Sequence, residues 1–180
     1  WCERDALYRA YHDEEWGRPI HDDRRLFELL VLESFQAGLS WYTILAKREG
    51  FRAAFDGFDY RLIAAYDDAK VEALMQDTRI VRNRRKILAT IQNAALFMEI
   101  QQEFGSFSAF IWAFVGGGPC VNRPRKLEDV PASNQTSDVI AAELKRRGFK
   151  FFGTTVAYAF MQSVGLVNDH IEDCAFKYPD

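Results

Sequence analysis

Apolar residues recur at intervals of three and four along almost the whole chain, and this spacing limits the fold more than any other feature. Such spacing puts apolar side chains on one face of an α-helix, whereas strands alternate at intervals of two. The longest example runs from about Arg84 to Phe104, where Gly105 follows. We therefore predict an all-α fold.

Residues that favour helix ends divide this pattern into separate segments. Predicted helices follow residues whose side chains can cap a first turn, namely Asp22 or Asp23, Ser40, Asp59, Asp67 or Asp68, and Ser137. Glycines at 50, 105 and 148 are expected to end three helices. Residues 116–136 form one long loop, and a final helix covers roughly residues 154–164. We predict one domain over residues 1–180, either undivided or split into two helical lobes with a cleft between them.

Charge and cysteine content exclude several classes of protein. The 23 Lys and Arg against 26 Asp and Glu give a net charge of −3, which argues against indiscriminate nucleic-acid binding but not against a local basic face. The longest apolar run, residues 109–115, is too short to cross a bilayer. No secretory leader pattern opens the chain, and the three separated cysteines do not form a disulfide framework. We expect a cytoplasmic protein that does not bind membranes.

Glu33 is a carboxylate on what should be the core face of a helix. At 3.6 residues per turn it shares that face with Leu26, Leu29 and Leu30. An unpaired buried carboxylate is costly, so such a group is neutral, hydrogen-bonded or functional. Glu33 therefore either bonds a buried backbone group or lines a pocket in which burial raises its pKa.

Aromatic residues near Glu33 favour the functional interpretation. Tyr8, Tyr11 and Trp16 precede its helix, and Trp41 follows after a short turn. Flat rings around a carboxylate suit a planar nitrogenous ligand, because the rings stack on it while the acid accepts its N–H groups. Taken singly, each ring is equally consistent with core packing.

Two basic runs differ in what they predict. Residues 79–86, RIVRNRRK, lie at the start of the long helix, where cations oppose the helix dipole. A bound phosphate would resolve that conflict, although an ordinary solvated face is the alternative. Residues 145–150, KRRGFK, lie at a helix C-terminus, where the dipole favours cations, so local stability explains them.

Three residues near the two ends of the chain are candidate metal ligands. His170 and Cys174 are four positions apart, and His12 lies in a dense aromatic segment. Zinc prefers this type of nitrogen and sulfur ligand, and Cys2 could supply a fourth. Chance placement is the alternative, with the cysteine packed as a small apolar group. A site of this kind would join the termini rather than catalyse a reaction.

Four long strings resemble the 3-methyladenine DNA glycosylase I (Tag) family. They are ALYRAYHDEEWGRP, LESFQAGLSWYTILAKRE, RRGFKFFGTTVAYAFMQ and GLVNDH, and they cover nearly the whole chain in order. The resemblance implies a single DNA glycosylase domain with the all-α helix-hairpin-helix fold and a structural zinc ion that joins the termini. It also implies hydrolysis of the N-glycosidic bond of 3-methyladenine in duplex DNA, with the base flipped into the pocket and released free.

The same resemblance implies a role for individual residues of the pocket. Glu33 would be the catalytic carboxylate that hydrogen-bonds the alkylated base. Tyr11 and Trp41 would be the stacking rings, supported by Tyr8 and Trp1. The zinc ligands would be His12, His170 and Cys174.

Two further segments would contact DNA. Gly38 and Leu39 lie on the turn that would fill the gap left by the extruded nucleotide. The hairpin residues that would grip backbone phosphates are Arg82, Asn83, Arg84, Arg85 and Lys86.

The sequence departs from the family pattern at two places. The family's first ligand cysteine would lie two residues before Trp1, so Cys2 is not its positional equivalent and the fourth ligand is open. The hairpin often carries glycine where this chain has Arg79 and Arg85, and a positive φ at Arg79 would cost about 1 kcal/mol.

The resemblance also bears on the reaction type and the cellular context. Bifunctional relatives use a lysine nucleophile, and we expect no lysine in a comparable apolar context here, which predicts a monofunctional hydrolase. We expect a monomer in the bacterial cytoplasm that associates with the nucleoid when it acts. The alternatives are a zinc-stapled DNA-binding module without activity and a glycosylase for another alkylated purine.

Overall fold

The computed structural model describes residues 1–178, most of which are helical. Its α-helices are α1 (Ala6–Ala10), α2 (Asp23–Gln36), α3 (Trp41–Ala46), α4 (Arg48–Ala54), α5 (Tyr60–Ala64), α6 (Asp68–Gln76), α7 (Arg84–Phe104), α8 (Phe107–Ala113), α9 (Gln135–Arg147) and α10 (Thr154–Ser163). The predicted helical architecture is therefore confirmed. Within residues 1–178, no helix combines the length and the apolar character that a membrane span requires.

Helix α2 lies at the centre of the fold, because it contacts α3, α7, α8 and α10. Every side chain from Leu26 to Phe35 is buried, which places a helix of mixed polarity inside the protein. Asp22 caps its first turn, as the sequence predicts. Asp23 instead accepts hydrogen bonds from the backbone N–H groups of Phe107 and Ser108, at 2.9 and 2.8 Å. This carboxylate therefore fixes the start of α8 against the start of α2.

Most predicted helix boundaries are confirmed, and the start of α9 is an exception. We predicted that Ser137 would cap this helix, but α9 begins at Gln135 after Asn134. The side chain of Asn134 accepts a hydrogen bond from the Ser137 N–H at 2.8 Å, and the Ser137 hydroxyl accepts one from the Asn134 N–H at 2.9 Å. Ser137 is therefore the third residue of a reciprocal capping box rather than the cap itself.

Gly50 does not end a helix, contrary to the prediction. It lies inside α4, and a Cβ at this position would be 2.6 Å from the carbonyl oxygen of Arg79. The glycine is needed because α4 approaches the backbone of the loop before α7 too closely for any side chain. Arg79 itself does not have a positive φ, so the expected strain at this position is absent.

A short parallel strand pair is the feature that helical periodicity does not predict. Strand β1 (Cys120–Val121) pairs with β2 (Val167–Asn168), with Cys120 opposite Val167. This pairing attaches the long loop between α8 and α9 to the segment that follows α10. Strands of two residues are too short to show an alternating pattern.

Candidate active site

A cavity of about 400 Å³ lies between the N-terminal aromatic segment, α2, α3 and α10. All five residues predicted to hold a base border it, namely Glu33, Tyr11, Trp41, Tyr8 and Trp1. Its volume lies within the range that small-molecule sites occupy. The structure thus brings together residues that are up to 40 positions apart in the sequence.

Glu33 lies on the inner side of this cavity and is only 3% exposed. Burial raises the pKa of its carboxyl from 4.5 to about 8, and a hydrogen bond with the Ser163 hydroxyl opposes part of that rise. The group is therefore predominantly protonated at neutral pH when no cation is beside it. A cationic ligand in the cavity would favour the ionised form, because an opposite charge lowers the pKa of an acid.

The aromatic rings form two walls rather than one sandwich. The rings of Tyr11 and Trp41 have centroids 5.4 Å apart and are tilted by 48°. A flat base between two ring faces needs about 7 Å, which is two contact distances. These two rings therefore do not enclose a base between them as they stand. Trp1 and Tyr8 pack edge to face at 4.8 Å and supply the second wall, which adjoins the first because the Trp1 ring lies 6.4 Å from that of Tyr11.

Trp41 lines this cavity, and its indole N–H is a buried donor. Among residues 1–178 it is the side-chain polar atom that is buried without a hydrogen-bond partner. An unpaired buried donor costs about 1–3 kcal/mol, and such groups are unusual outside functional sites. The N–H is consistent with a site that is completed by a ligand.

Arg48 anchors the segment that carries Tyr11. Its guanidinium donates to the Glu28 carboxylate at 2.6 Å and to the Glu15 carboxylate at 2.8 Å. Glu28 is on α2, whereas Glu15 ends the helical turn that begins at Tyr11. The buried Arg48 therefore fixes one ring wall relative to the helix that carries Glu33.

The turn between α2 and α3 lies next to the cavity. Gln36, at the end of α2, borders the cavity, whereas Gly38 and Leu39 do not. Gly38 has a φ of +81°, and no atom lies within 4 Å of where its Cβ would be. The Leu39 side chain is 39% exposed, and Ser40 caps α3 as predicted. This turn therefore projects an apolar side chain from the protein surface.

The predicted phosphate-binding segment is only partly available for contacts. The side chains of Arg82, Arg84 and Arg85 are exposed, and Arg84 forms an ion pair with Glu72 at 2.5 Å. Asn83 is the N-cap of α7, because its side chain accepts a hydrogen bond from the third residue of the helix. The exposed groups therefore lie at the start of α7, while Asn83 shapes the backbone there.

Within residues 1–178 two lysines are buried, but neither lies in a context comparable with that of an active-site nucleophile. Lys86 is 8% exposed and donates to two backbone carbonyls at the end of α2, at 2.7 and 2.8 Å. Lys177 is fully buried and donates to the carbonyls of Asn122 and His170, both at 2.6 Å. Neither lysine borders the cavity, so neither amine lies where a nucleophile would be needed.

The three candidate metal ligands do lie together. The ligand atoms of His12, His170 and Cys174 are all within 4.8 Å of one another. The Nδ1 atom of His12 is 2.7 Å from the Asp13 carboxylate, and that of His170 is 2.9 Å from the Asn168 side-chain oxygen. Such bonds fix the ring orientation. The Nε2 atom of His12 is 3.9 Å from the Cys174 sulfur, whereas that of His170 is 3.1 Å from the His12 carbonyl oxygen.

This cluster lies directly behind the larger cavity. It borders a smaller cavity of about 280 Å³, and Trp1 and Trp16 line both cavities. Cys2 also lines the smaller cavity, but its sulfur is not part of the group of three. Burial lowers the pKa of His170 to about 4, so its imidazole is neutral, which is the form that binds metals.

Several cavity residues have no signature in the sequence. Leu127, Val130 and Pro131 form a wall from the long loop, where no periodic pattern exists. Gln162 contributes from α10 and donates to the buried Asp169 at 2.8 Å. In the sequence, Asp169 stands beside His170. Nothing in the sequence shows that its carboxylate accepts a hydrogen bond from Gln162.

Comparisons with known proteins agree with this arrangement. The sequence profile described as methyladenine glycosylase matches residues 1–178. The chain belongs to the methyladenine glycosylase family. The family resemblance inferred from the sequence strings is thus confirmed.

Similar members of the methyladenine glycosylase family are bacterial. The chain is 48% identical over 174 residues to DNA-3-methyladenine glycosylase 1 of Escherichia coli strain K12, covering 97% of this chain and 93% of the relative. It is 44% identical over 177 residues to DNA-3-methyladenine glycosylase of Haemophilus influenzae strain KW20, covering 98% and 96%. A solved 3-methyladenine DNA glycosylase I from Staphylococcus aureus, described for its recognition of 3-methyladenine, superimposes with a TM-score of 0.95 at 37% identity, covering 98% and 94%.

Proposed function

We propose that this protein is a monofunctional DNA glycosylase that hydrolyses the N-glycosidic bond of 3-methyladenine in duplex DNA. The buried carboxyl of Glu33 inside a ring-lined cavity supports this function most directly. The family membership and the names of the bacterial relatives agree with it. The flipped base would enter the cavity after leaving the duplex stack, which costs least for a damaged base.

Glu33 acts on a base that already carries a positive charge in DNA. The ionised carboxylate accepts N–H groups at the edge of the base, and it offsets the positive charge that develops on the sugar. The bond between the base and C1′ breaks, and its electron pair leaves with the base, which becomes neutral. Water adds to C1′ and loses a proton, which leaves an abasic site and free 3-methyladenine. A cationic base needs little further acid catalysis, so one carboxylate is sufficient.

The ring walls suggest a modified arrangement for the bound base. Tyr11 and Trp41 are too close to enclose it, so we propose that Trp41 stacks on one face and that Tyr8 and Trp1 approach from the other wall. A cation over such rings gains about 0.5–2 kcal/mol for each good contact. Tyr11 then contributes as part of the cavity wall, which it shares with Glu33.

The start of α7 is the proposed DNA grip. Helix α6, the loop of residues 77–83 and α7 would form the helix-hairpin-helix element, with Arg82, Arg84 and Arg85 facing the phosphates. Exposed arginines at a helix N-terminus bind phosphate together with the free N–H groups of the first turn. Gly38 and Leu39 would enter the gap left by the extruded nucleotide, because Leu39 projects from the surface.

His12, His170 and Cys174 would bind a structural zinc ion. The donor set fits, because two imidazoles with orientated rings and one thiol are typical zinc ligands. When bound, the ion would supply a cross-link between the two ends of the chain and no chemistry for the reaction. It would also fix Trp1 and Trp16, which pack on the His12 ring.

We also propose that residues 1–180 form one glycosylase domain with two helical lobes, since the cavity walls come from the N-terminal helices on one side and α10 on the other. The protein would act as a monomer on DNA of the nucleoid in the cytoplasm.

Release of the free base from methylated duplex DNA tests the function. The protein is expected to release 3-methyladenine and to leave other methylated purines largely in place. Glu33→Gln should slow release by about 100-fold or more, because it removes the charge that stabilises the transition state. Glu99→Gln removes the same charge from an exposed position on α7 and serves as the matched control. Retention of intact methylated DNA by the wild-type protein would reject the function.

A further inference from the structure

The ammonium group of Lys86 closes the C-terminal end of α2. It donates to the carbonyl of Phe35 at 2.8 Å and to that of Ala37 at 2.7 Å. The last carbonyls of a helix have no partner within the helix and carry its negative dipole end. A buried cation in the first turn of α7 is unfavourable for α7 itself, and this contact with α2 offsets that cost.

The contact holds one side of the turn between α2 and α3. Within the turn, the Gln36 side chain donates to the Leu39 carbonyl at 2.8 Å, and the Leu39 N–H donates to the Gln36 carbonyl at 2.7 Å. The backbone of residues 35–39 is therefore held both by Lys86 and by hydrogen bonds within the turn. The Leu39 side chain itself is left exposed, and nothing packs within 4 Å of the Cβ position of Gly38. Only the backbone of this turn is constrained, which suits a group that must project rigidly.

The same helical turn that holds Lys86 also carries the exposed Arg84 and Arg85. The predicted phosphate contacts and the projecting turn are thus joined through one buried side chain. We propose, on the basis of the function proposed above, that Lys86 is a positioning residue that sets the Gly38 and Leu39 turn at a fixed height relative to the DNA backbone. Phosphate binding at the start of α7 then inserts the turn into the duplex and keeps the base extruded.

This role differs from direct phosphate binding, which the sequence suggested for Lys86. An exposed lysine that binds one phosphate contributes about 0.9 to the slope of log affinity against log salt. A buried ammonium that already binds two carbonyls contributes nothing to that slope. Salt dependence and turn insertion can therefore be measured separately.

The probe is a duplex with a tetrahydrofuran abasic analogue opposite 2-aminopurine, whose fluorescence rises when it is unstacked. Lys86→Met should bind this duplex with an unchanged salt slope, and its fluorescence gain at saturation should fall by about half or more. Single-turnover release from methylated duplex should slow about tenfold or more, since misplacement by about 1 Å is sufficient for such losses. Affinity for free 3-methyladenine should stay within about twofold, because the cavity is intact.

Lys145→Met is the control, since it removes the same charge from an exposed position on α9 that belongs neither to the turn nor to the start of α7. It should leave the fluorescence gain unchanged. If Lys86→Met does not fold, Lys86→Gln retains an N–H donor and supports the same comparison. A salt slope reduced by about one with full fluorescence would overturn the positioning role. So would a folded variant with full fluorescence and full rate. The abasic duplex needs no catalysis, so this result is independent of wild-type turnover.

Discussion

Replacement of Glu33 by glutamine should make the protein more stable, and the gain should grow with pH. Burial raises the pKa of this carboxyl from 4.5 to about 8 in the folded protein. The folded protein therefore holds one more proton than the unfolded chain between these two pH values. Its free energy of unfolding falls as the pH rises through this window, whereas the variant has no proton to lose at this position.

The size of the effect follows from the width of the window. A shift of about 3.5 pH units, at 1.36 kcal/mol per unit, corresponds to about 5 kcal/mol above pH 8. About 2.5 kcal/mol of this change is expected between pH 5 and pH 7, where the wild type and the variant can both be studied. Other titrating groups are shared by the two proteins and cancel in the difference.

Urea unfolding followed by tryptophan fluorescence at pH 5, 6, 7 and 8 measures this difference directly. The free energy of Glu33→Gln minus that of the wild type should rise steadily, while Glu99→Gln minus the wild type should stay nearly flat. A Glu33 difference that does not change with pH would mean that the carboxyl is ionised in the folded protein. The assignment of a neutral, desolvated acid would then be refuted.

Three further predictions concern the DNA grip, the backbone and the metal cluster. Arg82→Glu should weaken binding to every DNA sequence and reduce the salt slope by about one, and undiminished binding would reject the contact. Gly165→Ala should destabilise the fold by about 3 kcal/mol or more, since φ is +75° and the new Cβ would lie 2.2 Å from the Arg18 backbone. Gly57→Ala, with φ +64° and open space, should cost only about 1 kcal/mol in the same urea titration. Elemental analysis should find about one zinc per chain. His170→Ala should contain no zinc and should melt at a temperature several degrees lower. Wild-type protein without zinc would reject the proposed cross-link.

The helices and one half of the cavity could be predicted because they leave local patterns. Helix α7 was predicted with both ends correct, since its apolar stripe ends at Gly105. Glu33 stood out because a carboxylate interrupts an apolar face, and the rings around it come from nearby sequence. These features depend on side chains whose chemistry is visible in the sequence itself.

The remainder depends on contacts with backbone or between distant segments. The partners of Lys86 are carbonyl groups, which every residue carries, so nothing in the sequence distinguishes this lysine from the exposed arginines beside it. Gly50 was misread as a helix end, because its actual constraint is the approach of the Arg79 backbone. The loop that holds Leu127 has no periodicity from which its position could be predicted.

The part of the cavity wall that comes from the long loop is where the range of accepted damaged bases can change. Leu127, Val130 and Pro131 enclose the cavity from a surface loop, whereas Glu33 is packed within the central helix. Surface loops accept substitutions and altered lengths at far lower cost than helix interiors. Trimming these three side chains is a route to admitting bulkier adducts while the acid and its rings stay in place. Divergence in lesion preference should therefore accumulate in residues 127–131 first.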